Sequence, residues 1–93
     1  MRWIEVIKIQ TGGCDQASLE RQITELISNI GDSNGVKEIK LYHSAHVNSD
    51  LSIHLYWKSG KIEAQGSVAG LCMAHLLKEF GLVSHSVWVE GIK

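Results

Sequence analysis

Proline is missing from all 93 residues, so no ring-fixed turn or proline-broken helix punctuates the chain. Cysteine is nearly missing. Cys14 and Cys72 stand far apart with no patterned spacing, which fits reduced thiols in a cytoplasmic protein better than a disulfide framework. No apolar run approaches the roughly 20 residues that cross a bilayer. The opening Met1-Arg2-Trp3-Ile4-Glu5 carries charge inside its apolar run and lacks a signal-peptide pattern. No block of like charge occurs either: nine Lys and Arg against ten Asp and Glu leave a net charge of -1. The long-range field that gathers nucleic acid or anionic lipid is therefore missing, and neither partner is expected.

What remains is ordinary globular composition, 44% hydrophobic and 20% charged, at a length that fits one domain spanning residues 1–93. Such a short chain buries a small share of its surface, so covering one face with a partner would help it. Arg2 to Gln10 reads as a first strand, ended by Thr11-Gly12-Gly13. Trp3, Ile7 and Ile9 fall on one of its faces and Ile4 and Val6 on the other, the mark of a central strand covered on both sides. Asp15 can cap a first helix whose Leu19, Ile23, Leu26, Ile27 and Ile30 make an apolar stripe, with Gly31 as its left-handed end. Asp32 to Gly35 is a loop.

Val36–His46 and Leu51–Lys58 read as a hairpin turning at Asn48-Ser49-Asp50. A polar connection, Ser59 to Gly66, leads to Ser67, the cap of a second helix. Its stripe is Ala69, Cys72, Met73, Leu76, Leu77 and Phe80, and Gly81 stops it. Leu82 to Glu90 forms a last strand alternating Val83, His85, Val87 and Val89 with Ser84, Ser86 and Trp88. The order β-α-β-β-α-β predicts a ferredoxin-like, split β-α-β fold of the α+β class. Its four-stranded antiparallel sheet runs in the order 4-1-3-2, with both helices on one face.

The second sheet face then needs an occupant. A register that sets Val47 opposite Leu51, His43 opposite Leu55 and Leu41 opposite Trp57 sends the large aliphatics to the helices. Tyr42, Ser44, His46, Ser52, His54 and Tyr56 are left on the open face, joined by Ser84, Ser86 and Trp88 from the last strand. Such a patch marks an interface or a ligand groove.

In length and element order the whole chain resembles the dimeric α+β barrel superfamily, which includes the antibiotic biosynthesis monooxygenase-like proteins. Asp50-Leu-Ser-Ile-His-Leu-Tyr-Trp57 is similar to that family's third strand, which often ends in an aromatic. The resemblance implies a homodimer formed through the open sheet faces, with a small-molecule ligand between them. It also implies, for an oxygenase, a cofactor-independent reaction in which a phenolic or quinol-type substrate itself reduces dioxygen.

The candidate site follows. In that register His46 and His54 lie diagonally across the hairpin, roughly 7–8 Å apart. They would line the dimer interface, or one would serve as a general base, because a near-neutral pKa suits proton abstraction. Tyr42, Tyr56, Trp88 and Ser86 would hold the ligand. No metal is expected: the odd spacing of His43 and His46 sends them to opposite faces of a strand, and no third ligand stands beside His46 and His54. His85, among valines, reads as a buried histidine with a hydrogen-bond partner, and His75 as solvated. Cys14 belongs to no Cys-x-x-Cys pair, since Ala17 takes the second place, so a copper-chaperone-like site is excluded. Leu51 to Trp57 contains no Lys or Arg, which argues against an RNA-recognition sheet. A non-catalytic regulatory, ligand-binding or assembly module is the competing function. A pocket enclosed between the sheets would favour the enzyme, and a packed interface the module.

Overall fold

The computed structural model describes residues 2–12, 16–30, 36–47, 49–57 and 62–91. Asp15, Gly31, Cys14, the 32–35 loop, Asn48, Lys58 and the start of the polar connection lie outside the described residues, as does the side chain of Ile30. The elements are β1 (Trp3–Gln10), α1 (Gln16–Ile30), β2 (Val36–His43), β3 (Asp50–Trp57), α2 (Val68–Leu77) and β4 (Leu82–Val89). A short 3₁₀ turn, Lys78–Phe80, follows α2. The sheet order is β2-β3-β1-β4, with every adjacent pair antiparallel. Strand order, antiparallel pairing and element sequence are those expected of the split β-α-β fold.

β1 is central, and its alternation decides the layers. Trp3, Ile7 and Ile9 are buried against Leu51, Ile53, Leu55 and Trp57 of β3, and against Leu19 and Ile23 of α1 and Ala69, Met73, Ala74 and Leu77 of α2. Trp3 and Trp57, directly paired across the sheet, stack with ring centroids 5.1 Å apart and planes 11° apart. Burying such large side chains contributes roughly 1.5–3 kcal/mol each, so this layer supplies most of the fold's stabilisation.

Ser67 caps α2 as expected: its Oγ accepts the Gly70 N–H at 3.0 Å. The stripe of α2 is rotated from the expected one. Gly70 and Ala74 are buried with Ala69, Met73 and Leu77, whereas Cys72 and Leu76 are exposed. The cause is a polar group beneath the helix. Glu5 of β1 is fully buried, and its carboxylate accepts hydrogen bonds from Trp57 Nε1 at 3.0 Å and pairs with His85 Nε2 at 2.7 Å. A Cβ at Gly70 would collide with the Glu5 carboxylate, so glycine there lets the helix lie directly on the pair.

The hairpin register differs from the expected one. Leu41 faces Ile53, Tyr42 faces Ser52 and His43 faces Leu51. The displacement arises at Ser44, whose Oγ accepts the N–H groups of His46 at 3.2 Å and Val47 at 3.1 Å. A side chain that takes neighbouring backbone donors competes with the ladder, so the chain leaves the sheet after His43. Ala45, His46 and Val47 are then exposed in the loop rather than paired in a strand. The slide is an even number of residues, so every side chain keeps its face. β2 also carries a register irregularity between Val36 and Glu38.

Candidate functional site on the open sheet face

Alternation along four antiparallel strands sets the open face in rows. Tyr56, Ile4 and Trp88 make one row; His54, Val6 and Ser86 the next; Ser52, Lys8 and Ser84 the third. On β2, Lys40 stands opposite His54 and Tyr42 opposite Ser52. The expected ligand-holding residues Tyr42, Tyr56, Trp88 and Ser86 therefore share this face with His54, and Ile4 and Val6 run between them.

His46 does not join them. It belongs to the exposed hairpin loop, and the place diagonal to His54 is taken by Tyr42, whose ring centroid is 4.6 Å away. The expected His46–His54 pair is thus replaced by a His54–Tyr42 pair, a direct consequence of the early strand end at Ser44. His43 stays on the helix-facing parity of β2, as expected, and lies 3.5 Å from Glu20 of α1. Among the described residues no cluster of metal-ligating side chains occurs.

Several short contacts order the face. His54 Nε2 and Ser52 Oγ are 2.8 Å apart, the hydroxyls of Tyr42 and Tyr56 are 3.3 Å apart, and Trp88 Nε1 donates to Ser86 Oγ at 2.8 Å. Lys40 pairs with Glu38 at 3.1 Å, which raises its pKa through that hydrogen bond and charge. Desolvation lowers the His54 pKa, with the nearby Lys8 ammonium acting in the same direction. The shift favours the uncharged imidazole, the form that accepts a proton. The Tyr56 hydroxyl is shifted the other way, chiefly by its hydrogen bond with Tyr42.

Two hollows flank His54. One, of ≈ 450 Å³, is lined by Lys8, Gln10, Tyr42, Ser52 and Ser84 among others. The second, of ≈ 410 Å³, is an aromatic slot lined by Ile4, Tyr56, Trp57 and Trp88, with Arg2 and Glu90 at its rim. Each falls within the size of a small-molecule site. His54 lines neither hollow; its row, with Val6 and Ser86, falls between theirs, and its Nε2 meets the Ser52 hydroxyl that lines the first. Lys8 and Ser52 had no part in the expected site, although their even spacing from Val6 and His54 already placed them on its face.

This geometry, an open aromatic sheet face backed by two helices, is a ferredoxin-like α+β fold. Comparison with solved structures agrees. The chain is similar to a mutant of SnoaB, a cofactor-independent oxygenase from Streptomyces nogalater, at TM-score 0.76 and 12% identity, covering 99% of this chain and 95% of that one. It is also similar to Rv0793 from Mycobacterium tuberculosis, at TM-score 0.73 and 17% identity, covering 100% and 98%. At such identities the likeness is one of fold. No protein-family model matches the chain, and no curated protein sequence does. No helix among the described residues is long and apolar enough to cross a membrane.

Proposed function

We propose that the protein is a homodimer that binds a small aromatic molecule against the open sheet face and oxygenates it without a cofactor, with His54 as general base. The observation that carries this reading is His54 itself, partly desolvated, its pKa lowered, set among Tyr42, Tyr56 and Ser52 beside two hollows of ligand size. A second copy packed on this face would cover Ile4, Val6, Tyr42 and Trp88, the last two being 42% and 60% exposed. It would also close the hollows from above. The oxygenase activity that SnoaB carries on this fold supports the choice of chemistry.

The chemistry needs no metal or flavin on this reading. His54 removes the proton of a phenol or hydroquinone, and the electron-rich anion reduces dioxygen. One oxygen atom enters the ring, turning a phenol into a quinone or a hydroquinone into a hydroxyquinone, and the other leaves as water with two of the substrate's hydrogens. Tyr42, Tyr56 and Trp88 hold the ring by stacking and edge contacts, and Ser86 holds Trp88 in place through the indole N–H. Oxygen consumption with a panel of phenols and hydroquinones tests the reading. Uptake linked to a defined oxygenated product supports it. If nothing in the panel is consumed while ligands still bind, the non-catalytic binding module is the correct function.

A further inference from the structure

Lys8 is the charge on the open face that the proposed reaction leaves unused. Its Cα partner on β3 is Ser52, its Cα partner on β4 is Ser84, and it stands diagonal to His54. Lys40, the cation facing His54 from β2, is already held by Glu38. Lys8 has no ion pair among the described residues, and it lines the larger hollow together with Tyr42 and Ser52. The Ser52 hydroxyl meets His54 Nε2 at 2.8 Å. A cation and a hydroxyl therefore line one hollow, and the His54 imidazole is hydrogen-bonded to that hydroxyl.

We infer that Lys8, with the His54–Ser52 pair, forms an anion site in this hollow, and that the ligand class is an acidic hydroxyl compound, a phenol or enol, held as its conjugate base. The inference rests on the reading of this face as a small-molecule site and adds the ionic form that it selects. A phenolate oxygen beside Lys8 gains a charge-assisted hydrogen bond of the kind that is about twice as strong as a neutral one. It also relieves the repulsion that Lys8 would otherwise exert on a newly formed His54 imidazolium. Lys8 acts on the bound oxygen directly, and Ser52 is a positioning residue for the imidazole.

The other groups facing the hollow set the balance. Asp50 from β3 opposes the anion, the hydroxyl of Tyr42 from β2 can donate to it, and His43 lines the same hollow in contact with Glu20. Ser84 from β4 and Gln10 from β1 are uncharged. One cation against one carboxylate leaves Lys8 decisive for an oxygen placed next to it.

The test uses 4-nitrophenol, whose ionised form absorbs in the visible. The probe is titrated with wild-type protein at several pH values, and the ionisation of the bound fraction is read directly. The expected result is a bound probe about tenfold more ionised than the free one, one pKa unit. Lys8→Gln should lose that gain, Lys8→Arg should keep it, and Asp50→Asn should enlarge it. Lys78→Gln, the same charge change on the 3₁₀ turn outside the site, should leave it in place. Binding with unshifted ionisation, or a shift that survives in Lys8→Gln, overturns the anion site and leaves the open-face reading standing. No perturbation by the probe of the amide signals of Tyr42 and Ser52 overturns both. Circular dichroism and sedimentation of Lys8→Gln confirm that its fold and assembly match the wild type.

Discussion

Glu5 Oε2 and His85 Nε2 lie 2.7 Å apart between the sheet and α2, with the carboxylate fully buried. A charge-bearing group in such a place is tolerable only when every partner is present. Here the second carboxylate oxygen takes the Trp57 indole N–H at 3.0 Å. The pair ties β1, β3 and β4 together under one helix.

Removing the carboxylate should therefore cost more than its own contacts. Glu5→Leu leaves the His85 and Trp57 donors without an acceptor, and a loss of roughly 3 kcal/mol is expected in denaturant unfolding. His85→Leu should cost a comparable amount, because it strips the buried carboxylate of one partner. Gly70→Ala should also destabilise, since its Cβ would meet the Glu5 carboxylate. Near-normal stability of Glu5→Leu would show that the network is not formed in solution.

Assembly is tested on the two apolar residues in the middle of the open face. Ile4→Asp or Val6→Asp should convert a dimer into monomers in sedimentation velocity. Val6, only 6% exposed between its strand neighbours, should also lower stability on its own account, so Ile4→Asp is the cleaner variant. A wild-type chain that sediments as a monomer at micromolar concentration would contradict the proposed interface.

His54 should titrate below the reference value of about 6.5 when followed by NMR of its ring protons. Desolvation is the larger cause and Lys8 the smaller. Lys8→Gln should therefore return only part of the shift. A depressed folded pKa means that the unfolded chain binds the proton more readily. This contribution to stability is complete above about 6.5 and is lost as pH falls through the folded value. His54→Gln should flatten that slope. An unshifted midpoint would place the ring in open water.

Much of this was legible in the sequence because strand faces depend only on parity. The alternation of β3 and β4 assigned Tyr56, His54, Ser86 and Trp88 to the open side, and an even-numbered slip in register could not disturb it. The register itself was not legible: it turns on one hydroxyl, Ser44, which takes two backbone donors and ends β2 early. His46 was lost from the site for that reason alone. Glu5 was missed because a single carboxylate in an apolar strand reads as surface. Its signal was His85, a lone imidazole on the helix-facing side of the neighbouring strand, in reach of Glu5. The rotation of α2 that exposes Cys72 and Leu76 follows from the same unread pair.

Lost turnover separates a base from a residue that merely lines a pocket. A general base contributes typically 10²–10⁴-fold to rate. The decisive measurement compares kcat for oxygen uptake in wild type, His54→Ala, His46→Ala and Tyr56→Phe, with fold and assembly verified for each. The account predicts a loss of about 10²-fold or more in His54→Ala, nearly unchanged turnover in His46→Ala, and an effect mainly on KM in Tyr56→Phe. Full activity in His54→Ala would contradict it.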